Sequence, residues 1–159
     1  MIVFLDSNIL GLICNTNTLF AQAEECKNWF YASFVRGVRF ITSDICDYEV
    51  RRGLISSSIR SKEPAPGINL LDSLKIDSPV EFLAVSTEAL TLAANLWARA
   101  SNDGRTTRDE KNIDVDIIVS AQYQILKNRC PGQQVIVATT NLKHLSRFCD
   151  AAHWQDIKL

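Results

Sequence analysis

The sequence has no excess of charge of either sign and no long apolar run. Its 17 Lys and Arg residues against 18 Asp and Glu residues give a formal net charge of −1. This balance neither indicates nor excludes binding to nucleic acid. The longest apolar run is far shorter than a membrane span, and no basic segment precedes it at the amino terminus. We therefore expect neither a transmembrane helix nor a signal peptide.

Cysteine and histidine are too few and too scattered for several common kinds of site. The five cysteines are odd in number and include no C-x-x-C pair. They argue against a disulfide framework or a zinc site and indicate reduced thiols in a cytoplasmic protein. The histidines are His144 and His153, and no G-x-S-x-G motif occurs, which argues against a Ser–His–Asp hydrolase.

Other common catalytic motifs are also absent from the sequence. No G-x-G-x-x-G or G-x-x-x-x-G-K-[ST] loop follows a predicted strand, which argues against dinucleotide and nucleoside triphosphate binding. A phosphatase with an aspartyl nucleophile normally has a second Asp two residues after the first. In this sequence Asn8 occupies that position after Asp6.

The sequence does contain short apolar runs that alternate with helical patterns along 159 residues. The runs at 2–5 and 134–139 show no polar alternation and predict buried parallel strands, and two further strands are predicted at 38–41 and 80–85. Helical spacing and capping residues predict helices over 7–14, 19–36, 44–59, 68–75, 86–100 and 114–127. The stretches 61–67 and 102–112 are predicted loops. This order predicts one domain, 1–159, folded as a three-layer α/β sandwich with a central parallel sheet of four to five strands and helices on both faces.

Asp6 occupies the most informative position, directly after the first buried strand. The carboxyl ends of strands form the edge at which open α/β sheets bind ligands. The alternative is that Asp6 caps the following helix together with Ser7 and Asn8, because all three residue types can cap helices. Two further carboxylates in apolar surroundings favour a functional site.

Asp116 and Glu49 are those carboxylates. Apolar residues surround Asp116, where a carboxylate is costly unless a cation or hydrogen bonds keep it charged. Asp114 cannot share a helix face with Asp116 within regular helix and is predicted to cap the helix. Alternatively, both carboxylates lie near the cap, where the helix dipole stabilises them. Glu49 shares a helix face with small or apolar neighbours, and the alternative is a surface glutamate paired with Arg51 or Arg52.

We expect Asp6, Glu49 and Asp116 to converge at one sheet edge within reach of one ion. Three carboxylates in one pocket repel each other strongly unless a divalent cation lies among them. Oxygen ligands without His or Cys favour Mg²⁺ or Mn²⁺ over zinc. Because substrate phosphate commonly completes the coordination of Mg²⁺, this arrangement predicts phosphodiester chemistry.

Polar residues at the starts and ends of neighbouring elements are candidate supporting groups. Ser43 lies where the helix after the second strand should begin, and Thr139, Thr140 and Asn141 follow the last predicted strand. That strand should end at the same edge as Asp6. Ordinary capping of the next helix is the favoured interpretation for Thr139 and Thr140.

The motifs that carry these residues resemble those of the PIN-domain nucleases, which include the VapC toxins of toxin–antitoxin pairs. The matching pieces are V-F-L-D-S-N-I-L, S-D-I-C-D-Y-E-V-R-R-G-L, D-I-I-V-S-A-Q and V-A-T-T-N-L-K-H-L-S-R-F, in the family's order over nearly the whole chain. The resemblance implies an endoribonuclease for single-stranded RNA that depends on Mg²⁺ or Mn²⁺. Asp6, Glu49 and Asp116 match its core acidic positions, and Asn8 matches the polar residue that supports the first. Asn141 falls where the family often has a fourth Asp, which leaves the number of metal ions open.

We expect basic residues to line the substrate path beside these acids. The candidates are Arg51, Arg52, Arg105, Arg108, Lys111, Lys143 and Arg147, although a solvated charged loop is the favoured interpretation for 105–111. By resemblance, the partners are RNA, a small antitoxin protein and a second copy of the chain, with no membrane. Trp29, Phe30 and Phe34 are candidates for the homodimer interface; alternatively, they fill the core.

The alternative function is a catalytically weak or inactive PIN-like module that binds RNA or a protein partner. The neutral overall charge and Asn141 favour this alternative. Metal-dependent cleavage of single-stranded RNA would distinguish the two.

Overall fold

The computed structural model describes residues 1–76, 80–102 and 113–158. Within these ranges the strands are β1 (Ile2–Leu5), β2 (Arg39–Ser43), β3 (Val80–Leu83), β4 (Val135–Thr139) and β5 (Ala151–His153). The helices are α1 (Ser7–Ile13), α2 (Ala21–Val35), α3 (Asp44–Ser61), α4 (Gly67–Ile76), α5 (Thr87–Asn102), α6 (Ile113–Arg129) and α7 (Leu142–Leu145), followed by a 3₁₀ turn at Trp154–Asp156.

The strands form one parallel sheet in the order β3-β2-β1-β4-β5. The central strand β1 pairs with β2 on one side and with β4 on the other, and all four of its residues are buried. This confirms the predicted three-layer α/β fold with a central parallel sheet. Because the strands run parallel, the segments that follow β1, β2 and β4 all leave the sheet at one edge.

Several element boundaries differ from the predicted ones. Helix α2 begins at Ala21, and Leu19 before it is 92% exposed, so the buried face of the helix is shorter than the apolar pattern indicated. Strand β3 ends at Leu83, two residues earlier than predicted, and α3 continues to Ser61. Sequence patterns locate such ends poorly because the terminal residues of an element make few of the buried contacts that shape the pattern.

The elements that follow β4 were not predicted individually. Helix α7 has four residues and β5 has three, both too short for hydrophobic periodicity to appear. The β5 sequence Ala-Ala-His also lacks the β-branched residues that are typical of strands. Its pairing with β4 completes the sheet on that side.

An aromatic cluster on α2 covers one face of the sheet. The Trp29 ring lies 5.6 Å from the Phe40 ring and 5.7 Å from the Trp154 ring, measured between centroids, and Phe30 is fully buried. The alternative that these side chains fill the core therefore describes Phe30, which is fully buried and unavailable to a dimer interface, and Trp29 is partly buried against the same core. Phe34 is different, since it is 45% exposed.

All five cysteines are free thiols, and three of them are buried in the core. Burial raises the pKa of Cys14 and of Cys26 to about 12, so both thiols stay protonated at neutral pH. In the part of the chain that the structure describes, no helix is long and apolar enough to cross a membrane.

Candidate active-site cleft

A cleft of about 550 Å³ opens between α1 and α3, next to the edge at which β1, β2 and β4 end. Six of the predicted site residues line it: Ser7, Asn8, Glu49, Arg52, Asp116 and Asn141. The parallel topology thus brings together residues that are far apart in the sequence.

Asp6 is buried beside this cleft, and both of its carboxylate oxygens accept hydrogen bonds. Its Oδ1 accepts from the Ser7 backbone N–H at 2.7 Å, and its Oδ2 accepts from Asn8 Nδ2 at 3.1 Å. The Thr139 hydroxyl donates to Oδ2 at 2.7 Å. Asp6 is also the N-cap of α1. It therefore follows the end of β1 and caps the next helix at the same time.

A chain of hydrogen bonds connects Asp6 to Asp116. The Thr139 hydroxyl donates to Asp6 and accepts from the Asn141 backbone N–H at 2.8 Å. Asn141 Nδ2 then donates to Asp116 Oδ2 at 3.2 Å. In this arrangement Asn141 supports one carboxylate of the cleft as a hydrogen-bond donor, whereas the neighbouring Thr140 is exposed.

Asp116 lies in the first turn of α6 and is only 7% exposed. His144 Nδ1 is 3.9 Å from Asp116 Oδ2, and sequence reasoning did not find this contact. The sequence does contain a weak sign that His144 belongs to this site, because it lies three residues after Asn141, about one helical turn further along. Asp114 is exposed and lies inside the first turn of α6, so the prediction that it caps this helix is wrong.

Glu49 faces the cleft from α3 but is paired with a cation. Its Oε1 accepts from Arg52 Nη2 at 2.9 Å, which is the alternative that the sequence left open. The Glu49 side chain is 11% exposed and that of Arg52 is 50% exposed. The Arg52 guanidinium also lies 5.3 Å from the centre of the Tyr48 ring, within cation–π distance.

Arg51, a predicted substrate-path residue, does not line the cleft and is paired with two carboxylates. It donates to Asp47 Oδ1 at 2.8 Å and to Asp72 Oδ1 at 2.7 Å, and so connects α3 with α4. The hydrogen bonds to Asp47 and to Asp72 raise the pKa of Arg51. In this structure Arg51 has a structural role, because its donors pair with Asp47, whose side chain is 12% exposed.

The remaining predicted residues have mixed outcomes. Ser43 is buried and caps α3, since its hydroxyl accepts from the Ile45 backbone N–H at 3.1 Å. Lys143 is exposed on α7. Arg108, together with Arg105 and Lys111, lies outside the described residues.

The donor set of the cleft suits a hard divalent cation. Asp6, Glu49 and Asp116 offer oxygen atoms, as Mg²⁺ and Mn²⁺ prefer. The expected convergence of the three carboxyl groups is not observed, however. Among the described residues, no three Asp, Glu, His or Cys side chains lie close enough together to hold one ion. One physical reason is the ion pair that occupies Glu49.

The fold is similar to that of several solved structures. VapBC-1 from nontypeable Haemophilus influenzae gives a TM-score of 0.64 at 16% identity, covering 98% of this chain and 100% of that chain. FitAcB from Neisseria gonorrhoeae gives 0.67 at 14% identity, with 98% and 99% covered. VapBC2 from Rickettsia felis, bound to a DNA fragment from their promoter, gives 0.63 at 18% identity, with 97% and 99% covered.

Comparisons at the level of sequence find nothing. No family model matches the chain. No curated protein matches it either. The assignment to the PIN-domain nuclease family from the four motifs is therefore overturned. The likeness that remains is one of fold, a PIN-like sandwich shared at low sequence identity.

Proposed function

We propose that the chain is an endoribonuclease that depends on Mg²⁺ or Mn²⁺, cleaves single-stranded RNA and acts as the toxin of a toxin–antitoxin pair. The observation that carries the proposal is the cleft that Glu49, Asp116, Asn141 and Arg52 line, connected to Asp6 through hydrogen bonds. The structural neighbours are toxin–antitoxin complexes, which supports a VapC-like toxin. Five free thiols fit the reducing conditions of the cytoplasm.

In this proposal Asp6, Glu49 and Asp116 would hold the ion, which requires Glu49 to leave its ion pair with Arg52, because the three acids do not lie together in the described structure. When bound, the ion would lower the pKa of a coordinated water and neutralise charge that develops on the phosphate. The residues around the acids orient them: Asn8 and Thr139 donate to Asp6. Asn141 does the same for Asp116.

Binding of the RNA backbone is assigned to Arg52 in the cleft and to the exposed Lys143 on α7. A guanidinium can donate two parallel hydrogen bonds to one phosphate. Contacts of this kind bind phosphates without reading the base sequence, so affinity should fall steeply with salt.

The direct test is cleavage of single-stranded RNA with Mg²⁺ or Mn²⁺ and with a chelator. Glu49→Gln and Asp116→Asn should lower the rate by about a hundredfold or more, because ligands matter at least as much as the residues that support them. Asp114→Asn is the matched control, since it changes an exposed carboxylate on the same helix outside the cleft. Cleavage that survives the chelator, or an equal loss in the control, would overturn the proposal.

A catalytically weak or inactive module that binds RNA is the second candidate. It is favoured by the absence of a close group of three acids among the described residues and by the amide donor at position 141. RNA that binds but is not cleaved at any Mn²⁺ concentration would support this candidate and reject the nuclease.

A small antitoxin and a second copy of the chain are the proposed protein partners. Support for the first comes from the neighbours, which are complexes with antitoxins. For the second, helix α2 leaves Tyr31, Phe34 and Val35 exposed, and Val35 is 85% exposed. Light scattering should give the mass of a dimer at micromolar concentration, and a monomeric mass would reject this partner.

A further inference from the structure

The charges of the cleft do not by themselves attract a polyanion. Among its lining residues in the described part of the chain, the carboxylates of Glu49 and Asp116 outnumber the one guanidinium, that of Arg52. The whole chain carries a formal net charge of −1. Proteins that bind nucleic acid through phosphate contacts alone depend on an excess of Lys and Arg at the site. Binding of RNA to this cleft therefore needs a contribution besides that of phosphate contacts.

Unpaired bases can supply that contribution, because their flat faces stack on aromatic side chains. The ranges that the structure describes expose five aromatic side chains, those of Phe20, Tyr31, Phe34, Tyr48 and Trp97. Tyr48 is the most exposed of the five, at 56%. Its ring also contacts a residue of the cleft directly, since the Arg52 guanidinium lies 5.3 Å from the ring centre.

Helix α3 places Tyr48 at the edge of the cleft. Tyr48 directly precedes Glu49 and lies one helical turn before Arg52, and both of these residues line the cleft. Tyr48 itself does not line it, and the Arg52 guanidinium lies between the cleft and the ring. A strand that leaves the cleft past Arg52 therefore meets the tyrosine ring next.

Arg52 and Tyr48 together offer what a single-stranded nucleotide requires. The guanidinium donates hydrogen bonds to phosphate oxygens, and the ring offers an apolar face to a base. In a duplex the bases are already stacked and paired, so a side chain on the protein surface cannot stack on them. The two side chains thus favour a single strand over a duplex.

We propose that Tyr48 selects single-stranded RNA by stacking on an unpaired base of the nucleotide that follows the one in the cleft. This inference rests on the proposed function in taking RNA as the ligand, but it needs no metal ion. Because every base has an aromatic face, the contact distinguishes single strands from duplexes and not one base sequence from another.

The test is fluorescence anisotropy with a short, labelled, single-stranded RNA in the presence of EDTA, so that binding is measured without cleavage. Tyr48→Leu should bind this RNA about fivefold or more weakly than wild type, the lower end of the cost of losing one stacked base. Tyr48→Phe keeps the ring and should bind like wild type. Trp97→Leu removes an exposed aromatic ring from α5, outside the cleft, and should leave the affinity unchanged.

Salt and strand state separate stacking from charge. The factor lost by Tyr48→Leu should be the same at low and at physiological salt, whereas the factor lost by Arg52→Gln should shrink as salt rises, because only a phosphate contact releases counterions. Tyr48→Leu should leave the affinity for duplex RNA unchanged. An equal loss of affinity for single strand and duplex, or no loss for either, would overturn the proposal.

An RNA with abasic sites at its centre tests the same contact in the unaltered protein. Wild type should lose more affinity than Tyr48→Leu when the intact single strand is replaced by the abasic one, and equal losses would overturn the role of Tyr48. Wild type that binds no single-stranded RNA would contradict the proposed function itself. Binding that depends on Tyr48, without cleavage when Mn²⁺ replaces EDTA, would reject the nuclease and support the role of Tyr48.

Discussion

At the scale of single residues, the site depends on how each buried polar group is partnered. The sequence predicted Asp6 and Asp116 as buried carboxylates. Both are buried in the structure, where they are 1% and 7% exposed. It could not predict the Thr139–Asn141 link between them, because that link depends on side-chain orientation beyond the strand end. The same limit applies to Glu49, for which the sequence left the pairing with Arg52 as one of two options.

The Thr139 hydroxyl is predicted to stabilise the fold as well as the site. Thr139→Val keeps the shape of the side chain but removes its hydroxyl, which donates to Asp6 and accepts from the Asn141 backbone N–H. Thr139 is fully buried. We expect a loss of about 1–3 kcal/mol in the free energy of unfolding, measured in urea, because buried partners are left unsatisfied.

Thr140→Val is the matched control for this prediction. Thr140 is the next residue and is exposed. Its replacement should change the free energy of unfolding by no more than about 0.5 kcal/mol. Equal losses in the free energy of unfolding for the two variants would show that the buried hydroxyl of Thr139 contributes no more to stability than the exposed one of Thr140.

At the scale of elements, buried strands and long helices were predictable and short ones were not. β1 and all of β4 except its last residue are apolar without alternation, a pattern that is typical of central parallel strands. α7 and β5 have four and three residues, so their positions depend on contacts with α6 and β4 instead of on a pattern of their own.

One such contact connects α6 to the segment before β5. Lys127 Nζ donates to Asp150 Oδ2 at 2.6 Å, and the Tyr123 hydroxyl donates to the same oxygen at 2.8 Å. These hydrogen bonds, that of Lys127 above all, hold the pKa of Asp150 below its ordinary value near 3.8. A depressed pKa in the folded state contributes stability that is present above the unfolded pKa and is lost as the pH falls through the folded one.

Asp150→Asn should therefore lower the melting temperature at pH 7, and the difference from wild type should shrink below about pH 4. The measurement is a thermal melt of both proteins at pH 7 and at pH 3. Glu25→Gln, which removes an exposed carboxylate on α2, is the control and should melt like wild type at both pH values. A difference that stays constant between pH 7 and pH 3 would contradict the role of this carboxylate.

At the scale of the whole molecule, similarity of fold extends further than similarity of sequence. The PIN-like sandwich is shared with VapBC2 at 18% identity and with FitAcB at 14%, over almost the whole chain. A parallel sheet needs buried apolar strands and right-handed crossovers, which many sequences provide. The four motifs identified the fold because they mark the strand ends, but they did not establish membership of a sequence family.

The central claim is that the cleft between α1 and α3 holds a divalent cation on its carboxylates. Anomalous diffraction from crystals soaked in Mn²⁺ measures this directly. The account predicts a manganese peak in the cleft, about 2 Å from carboxylate oxygens of Asp116 and Glu49, with Arg52 displaced from Glu49. A cleft without a peak after a soak at the Mn²⁺ concentration used in the cleavage assay, with Glu49 still paired to Arg52, would contradict it.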